Sequence, residues 1–422
     1  MWRWSARLAA VLLIAVAAYG IFVALCGVPS VANHPLSRDS ATIASGKYLA
    51  AAGDCASCHT AKGGEAFAGG RPLATPFGTI YSANITPDLK TGIGDLSSAQ
   101  FYQLMAYGAD SLLAPLYPAM PYTSFHNLTR EDSDALFAYF MSVPAVERPV
   151  TPNEMSFPFN IRPLMFGWDF LFASRRPFKK NPDKDAAWNR GAYLVEGLGH
   201  CGECHTPRNV LGAMEGNRAL DGAVIGAFKA PDITAAALAK RGWNREDLVL
   251  YFETGASPQG SAFGDMFLAV KKSLRLLTDD DRMAIATFLM DVDASATSKG
   301  EAAVAALGEK AHENRSGQTL FLSYCSLCHG PDGQGVQSTM PRLAGNATLA
   351  EPDGVNLIEV MAYGIDPDRM SLTRGYGPMP AFRNRLSAAQ MADLANYVRS
   401  VFAVNGNALP VLSVEDVDKI LQ

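Results

Sequence analysis

The chain has 422 residues, enough for two to four domains. Apolar residues make up 48% and charged residues 18%, a balance that excludes a disordered chain. With a net charge of -5 there is no global basic field, so nucleic acid is not an expected partner.

Residues 1–30 begin with Arg3 and Arg7, and no charge follows from Leu8 to Cys26. That run is longer than a secretory core of about 7–15 residues and approaches the ~20 needed to span a bilayer. No convincing A-x-A site follows, so an uncleaved membrane anchor is preferred to a cleaved signal helix. Leu25 argues against lipidation at Cys26. In each case the positive end stays inside and the rest of the chain is exported.

The chain then repeats itself three times. Each repeat starts with a glycine and apolar residues at helical spacing: GKYLAAAGD from Gly46, GAYLVEGLGH from Gly191 and GQTLFLSY from Gly317. Each of these helices runs into one pattern: Cys55-Ala56-Ser57-Cys58-His59, Cys201-Gly202-Glu203-Cys204-His205 and Cys325-Ser326-Leu327-Cys328-His329. Further on come LMAYGAD, LYFETGAS and VMAYGID, and each repeat closes on a capped amphipathic helix. Thr129, Thr278 and Ser387 take the N-cap of these helices, with Asp132, Asp281 and Gln390 three residues on.

The expected plan is therefore mainly α, with tandem helical units over 40–145, 186–294 and 312–402. Between them lie a proline-rich connector (146–185) and an Ala/Ser-rich one (295–311), and a tail (403–422) carries one short helix. The first connector contains SFPFNIRPLMFGWDFLF followed by Arg175, Arg176, Lys179 and Lys180. It is expected to pack on its own domains, with docking on a partner or a membrane surface as the other reading.

Zinc would want four ligands from pairs close in sequence, whereas each unit offers two cysteines and one histidine. A thioredoxin-like pair would need a βαβ setting. CxxCH is also the attachment pattern of c-type haem, in which two thiols bind the vinyls and the imidazole reaches the iron. Three copies in exported repeats favour that chemistry. Cys55, Cys58, Cys201, Cys204, Cys325 and Cys328 are the expected attachment points for three covalent haem c groups, with His59, His205 and His329 as iron ligands.

An electron-carrying haem usually has a second axial ligand, and a methionine there raises its potential. Met120 in Tyr117-Pro118-Ala119-Met120-Pro121-Tyr122 and Met379 in Gly377-Pro378-Met379-Pro380 occupy proline-stiffened loops before the closing helices. Met266, in Gly264-Asp265-Met266-Phe267, has no prolines but keeps the offset, 61 residues from 59 to 120 and from 205 to 266 alike. Met340 and Met370 are competitors for the third iron, and His126 for the first. Asn84-Ile85-Thr86 and Asp232-Ile233-Thr234 recur and favour a turn over a propionate contact, while Arg208 is a candidate for a propionate.

The stretches FAGGRPLATPFGTIYSANITPDLKTGIG (67–94), LYPAMPY (116–122) and WNRGAYLVEGLGHCGECHTPRN (188–209) resemble the three-haem cytochrome c subunits of membrane-bound bacterial dehydrogenases. The resemblance covers roughly residues 40–402. It implies three tandem cytochrome c-like domains at the periplasmic side of the cytoplasmic membrane. It also implies a catalytic partner subunit of PQQ, FAD or molybdopterin/iron–sulfur type, and delivery of that partner's electrons to ubiquinone or onward in the respiratory chain. No substrate-oxidising site is evident on this chain. A cytochrome subunit of a terminal oxidase, or a peroxidase-like haem enzyme with one open iron, is the alternative.

Overall fold

The computed structural model describes residues 13–20, 28–109, 115–174, 176–291, 314–336, 340–365, 378–404 and 409–422. Cys26, Arg175, Met370 and the connector 295–311 lie outside the described residues, as does most of the run from Leu8 to Cys26. Among the described residues no helix is long and apolar enough to cross a membrane.

Each repeat is framed by two crossing helices. Ser40–Ala52 crosses Arg130–Phe140, Ala186–Tyr193 crosses Asp279–Leu289, and Arg315–Tyr324 crosses Ala388–Phe402. The early glycines stand at these crossings. A Cβ on Gly46, Gly191 or Gly317 would come within 1.9, 2.0 and 2.3 Å of the backbone oxygens of Ala135, Ala284 and Asp393. No other residue lets the two backbones approach so closely. The closing helices start on the side-chain oxygens of Thr129, Thr278 and Ser387, which accept the N–H groups of Asp132, Asp281 and Gln390. At Ser387 the reciprocal bond from the N-cap backbone to Gln390 completes the box.

The strands are short and local. Pro72–Thr75 pairs antiparallel with Gly78–Tyr81, with Pro72 opposite Tyr81, and Ala223–Ile225 pairs with Phe228–Ala230. Glu154–Met155, from the proline-rich connector, adds a third strand beside Gly78–Tyr81. The connector continues through Arg162–Leu164 into the helix Met165–Phe172, which buries Met165, Phe166 and Asp169.

Contacts gather the chain into two compact units, residues 1–179 with 196–200 and residues 180–195 with 201–422. The second and third repeats share the latter. Asn356 joins them as a strand would, accepting the Lys229 N–H at 2.9 Å and donating to the Lys229 oxygen at 2.8 Å. Lys229 also pairs with Asp353. The tail forms the helix Val414–Ile420, and its Val417 is fully buried in the core of the third repeat.

Candidate haem-attachment sites

In all three motifs a short helix follows the opening helix: Cys55–His59, Gly202–His205 and Ser326–His329. The backbone N–H of His205 reaches the Cys201 oxygen at 3.0 Å, and that of His329 reaches the Cys325 oxygen at 2.9 Å. At positions i, i+3 and i+4 of such a turn, the two thiols and the imidazole share one face.

The three imidazoles are held the same way. His59 Nδ1 lies 2.7 Å from the Ala83 oxygen, His205 Nδ1 2.7 Å from the Pro231 oxygen, and His329 Nδ1 2.9 Å from the Pro341 oxygen. A carbonyl oxygen can only accept, so Nδ1 must carry the proton. Nε2 is then left with a free lone pair, and the ring is fixed in orientation, the usual bracing of a metal-binding histidine. Burial lowers the pKa of all three rings and the carbonyl only partly opposes it, so each is neutral at pH 7.

The first thiol of each motif differs from those of redox or zinc-binding cysteines. Desolvation pushes Cys55 and Cys201 up to about 12 and Cys325 up to about 11, the reverse of the lowered pKa that makes a thiolate reactive. Among the described residues no cluster of three or more His, Cys, Asp or Glu side chains could hold a metal ion on its own.

The carbonyls on the histidines were not foreseen from sequence, although a signal lay beside them. Asn84 Oδ1 accepts from the Thr86 N–H at 2.9 Å and from the Thr86 hydroxyl at 2.7 Å. Asp232 Oδ1 does the same with Thr234, at 2.8 and 2.7 Å. The recurring Asn/Asp-Ile-Thr is thus a side-chain-capped turn that sets the preceding carbonyl, of Ala83 or Pro231, on its histidine. Arg208 is engaged within its own loop, with the Glu203 carboxylate and the Gly212 oxygen.

The methionines stand in three different settings. Met120 follows a turn closed by its own N–H on the Tyr117 oxygen at 3.0 Å. The connector braces that loop. Tyr117 Oη donates to the Phe159 oxygen at 2.9 Å, Tyr122 Oη donates to Asp169 at 2.7 Å, and Arg162 donates to the Pro115 oxygen at 2.7 Å. Met379 is pinned to Ile365 by a bridge of two backbone bonds, 2.9 and 3.0 Å. Met266 is not in a loop as expected. It lies in the first turn of the helix Gly264–Lys272, among Ala262, Phe267 and Val270. Asp265 in that first turn favours a helix start, and no proline opposes it.

In the third repeat, Cys325, Cys328, His329 and Met379 line one cleft of about 150 Å³ that opens to solvent. Its walls are apolar, including Leu349, Phe382 and Val398, and Met340 lines it too. Phe263 of the second repeat contributes to the same wall. Two cysteines, a neutral imidazole with Nε2 free, a thioether and an apolar wall together fit a covalently attached haem c. The other histidines serve as braces or rest in the fold: His34 Nδ1 meets Asp134 at 2.6 Å, and the His200 ring stands edge-on to Phe125. His126 Nδ1 is buried with no hydrogen-bond partner among the described residues.

The cytochrome c family model matches residues 43–144 and 315–402. The fructose dehydrogenase cytochrome subunit of Gluconobacter japonicus is 37% identical over 92% of this chain and 84% of its own length. The chain belongs to the cytochrome c subunits of dehydrogenases. Another such cytochrome c subunit, of gluconate 2-dehydrogenase from Pantoea cypripedii, is 37% identical over 86% of each chain. A nicotinate dehydrogenase subunit from Pseudomonas putida is 42% identical over 87% of this chain, which spans only 31% of that relative's length. Membership in these cytochrome c subunits implies covalently bound haem c.

Proposed function

We propose that the chain is a three-haem electron-transfer subunit of a membrane-bound dehydrogenase. In this reading Cys55 and Cys58, Cys201 and Cys204, and Cys325 and Cys328 each attach one haem. His59, His205 and His329 would ligate the irons, with Met120, Met266 and Met379 as the second ligands. The observation that carries the reading is the same Nδ1-to-carbonyl brace at all three CxxCH motifs, including the second, which lies outside the family-model match.

Bound haem c supplies one-electron redox chemistry, and the residues of this chain set its terms. Burial keeps each imidazole neutral, and the carbonyl brace aims it. A methionine thioether on the iron would raise its potential, and the apolar walls of the third-repeat cleft would shield a haem there from much of the solvent. Organic substrate is oxidised on a separate catalytic subunit, since the relatives are named as subunits of alcohol, fructose, gluconate and nicotinate dehydrogenases. Electrons leave to ubiquinone at the periplasmic side of the cytoplasmic membrane, where the uncharged run Leu8–Cys26 attaches the chain.

Haem quantified per polypeptide in the holoprotein tests the count. Three per chain, all low-spin in the visible spectrum, is the expected result. Two per chain removes the second site, and a high-spin haem in the parent protein favours an enzyme with an open iron. Gentle solubilisation from membranes should recover a catalytic dehydrogenase subunit with the cytochrome; recovery of an oxidase instead overturns the partner assignment.

A further inference from the structure

We infer that the outward face of the helix Met165–Phe172 lies in the headgroup region of the bilayer, as a second membrane contact beside the N-terminal run. The inference rests on the membrane attachment proposed above and assigns it a surface.

The helix is two-faced in an unusual sense. Met165, Phe166 and Asp169 point into the first unit, Asp169 held by the Tyr122 hydroxyl. The opposite face is also apolar. Phe170 and Leu171 are 60% and 66% exposed, and Leu164, seven residues before Leu171 and so on the same side, is 46% exposed. Gly167 lies between them, and a Cβ built there meets no atom within 4 Å. Phe157, at 79%, and Ile161 extend the exposed apolar stretch upstream. Scattered apolar residues on a surface need no explanation, but a group this dense marks an interaction site.

Two observations name the occupant as lipid. Residues 13–20, part of the uncharged run, form a helix whose Tyr19 hydroxyl donates to the Pro163 oxygen at 2.5 Å. The start of the Met165–Phe172 helix is therefore where the N-terminal run meets the fold, so the segment read as entering the bilayer and this face are neighbours. Exposed Arg176 and Lys179 follow directly, the placement that favours anionic headgroups at the edge of an interfacial helix.

The test uses the full-length holoprotein in a Cys26→Ser background, reconstituted into vesicles of phosphatidylethanolamine and phosphatidylglycerol with or without brominated acyl chains. A bimane label at Leu171→Cys should be quenched roughly twofold or more by the brominated lipid, as for a side chain at the headgroup–acyl boundary. The same label at Val210→Cys, on a side chain 93% exposed in the second repeat, should not respond. Adding Gly167→Asp, which meets no neighbour, should reduce the quenching at 171 without lowering the unfolding temperature. If the chain floats with the vesicles but the label at 171 is unquenched, this inference fails and membrane attachment stands. Shielding at 171 that appears only when the catalytic subunit is added makes the face a protein interface and equally overturns it. A chain that does not float removes both the attachment and this inference.

Discussion

The histidine side and the methionine side of the three sites are built on different principles. Each histidine closes the same short helix and sets Nδ1 on a backbone oxygen at 2.7 to 2.9 Å. Each methionine is positioned by whatever lies outside its repeat's shared frame: a braced connector at Met120, a helix start at Met266, a two-bond bridge at Met379. The difference shows which part of a site must be invariant. Attachment needs two thiols and an imidazole on one face, and only one local geometry provides that. In the proposed reading the thioether would only have to come within reach of the iron, and several backbones can bring it there.

The strongest way to break the shared side is to force its frame apart. Gly191→Ala would drive a Cβ to 2.0 Å from the Ala284 oxygen, and the backbone cannot yield as a side-chain end could. Overpacking of this kind costs typically about 1–3 kcal/mol, and a backbone clash belongs at or above the top of that range. Gly46→Ala and Gly317→Ala should destabilise to a similar degree, measured by thermal unfolding of the holoprotein. An alanine tolerated at any one of the three would mean that its helix crossing is not part of the common frame.

A pH effect of comparable size separates the two units. Burial pushes the Glu351 carboxyl, 5% exposed and bonded to Asn356, up to about 7 from the ordinary 4.5. The folded state then binds a proton that the unfolded state has lost, so stability is full below about pH 4.5 and falls as pH rises to about 7. The loss from this one group is on the order of 3 kcal/mol, and it belongs to the unit of residues 180–195 and 201–422. Glu351→Gln should flatten the pH dependence of that unit's unfolding and leave that of the other unit alone. An unchanged slope would place the titration elsewhere.

On the variable side, the three methionines should separate by spectrum and potential. Met120→Ala, Met266→Ala and Met379→Ala should each turn one haem high-spin and lower its potential by a fraction of the roughly 0.8 V that axial ligation spans. Met266 sharpens the comparison most. If Met266→Ala leaves the spectrum unchanged, the second iron takes another ligand, and the equal 61-residue offset in sequence is coincidence. If Met340→Ala changes the third haem and Met379→Ala does not, the cleft's other thioether is the ligand.

Much of this was legible in the sequence, because side chains that recur leave a repeat. The three CxxCH patterns, the crossing glycines and the capped closing helices are all residue-type signals, and each stands where a helix begins, crosses or ends. What was hidden is carried by backbone atoms. The oxygens of Ala83, Pro231 and Pro341 have no residue signature, and only the Asn/Asp-Ile-Thr turn beside two of them hints at their task. The strand Glu154–Met155 was hidden because its partner lies more than seventy residues earlier, at Gly78–Tyr81. The union of the second and third repeats was hidden because Asn356 grips backbone groups of Lys229.

The smallest predicted effect tests the turn itself. Asp232→Ala removes both acceptor bonds to Thr234 and frees the Pro231 carbonyl to drift from His205. A single hydrogen bond is worth about 0.5–1.5 kcal/mol net, so the loss in stability should be about 1–2 kcal/mol. Asp232→Asn keeps an Oδ1 acceptor in place while removing the charge, and so separates geometry from electrostatics. If the turn acts by holding the carbonyl, the asparagine variant behaves like the parent and the alanine variant shifts the potential of the second haem. If both shift it equally, the Asp232 charge beside His205 matters and the turn does not, since that charge raises the His205 pKa against the opposing Arg241. At Ala83 the same role already falls to an asparagine, Asn84, which also donates to the Val146 oxygen at 2.8 Å. The first site therefore manages without a carboxylate, and the neutral variant at 232 is the outcome the shared geometry requires.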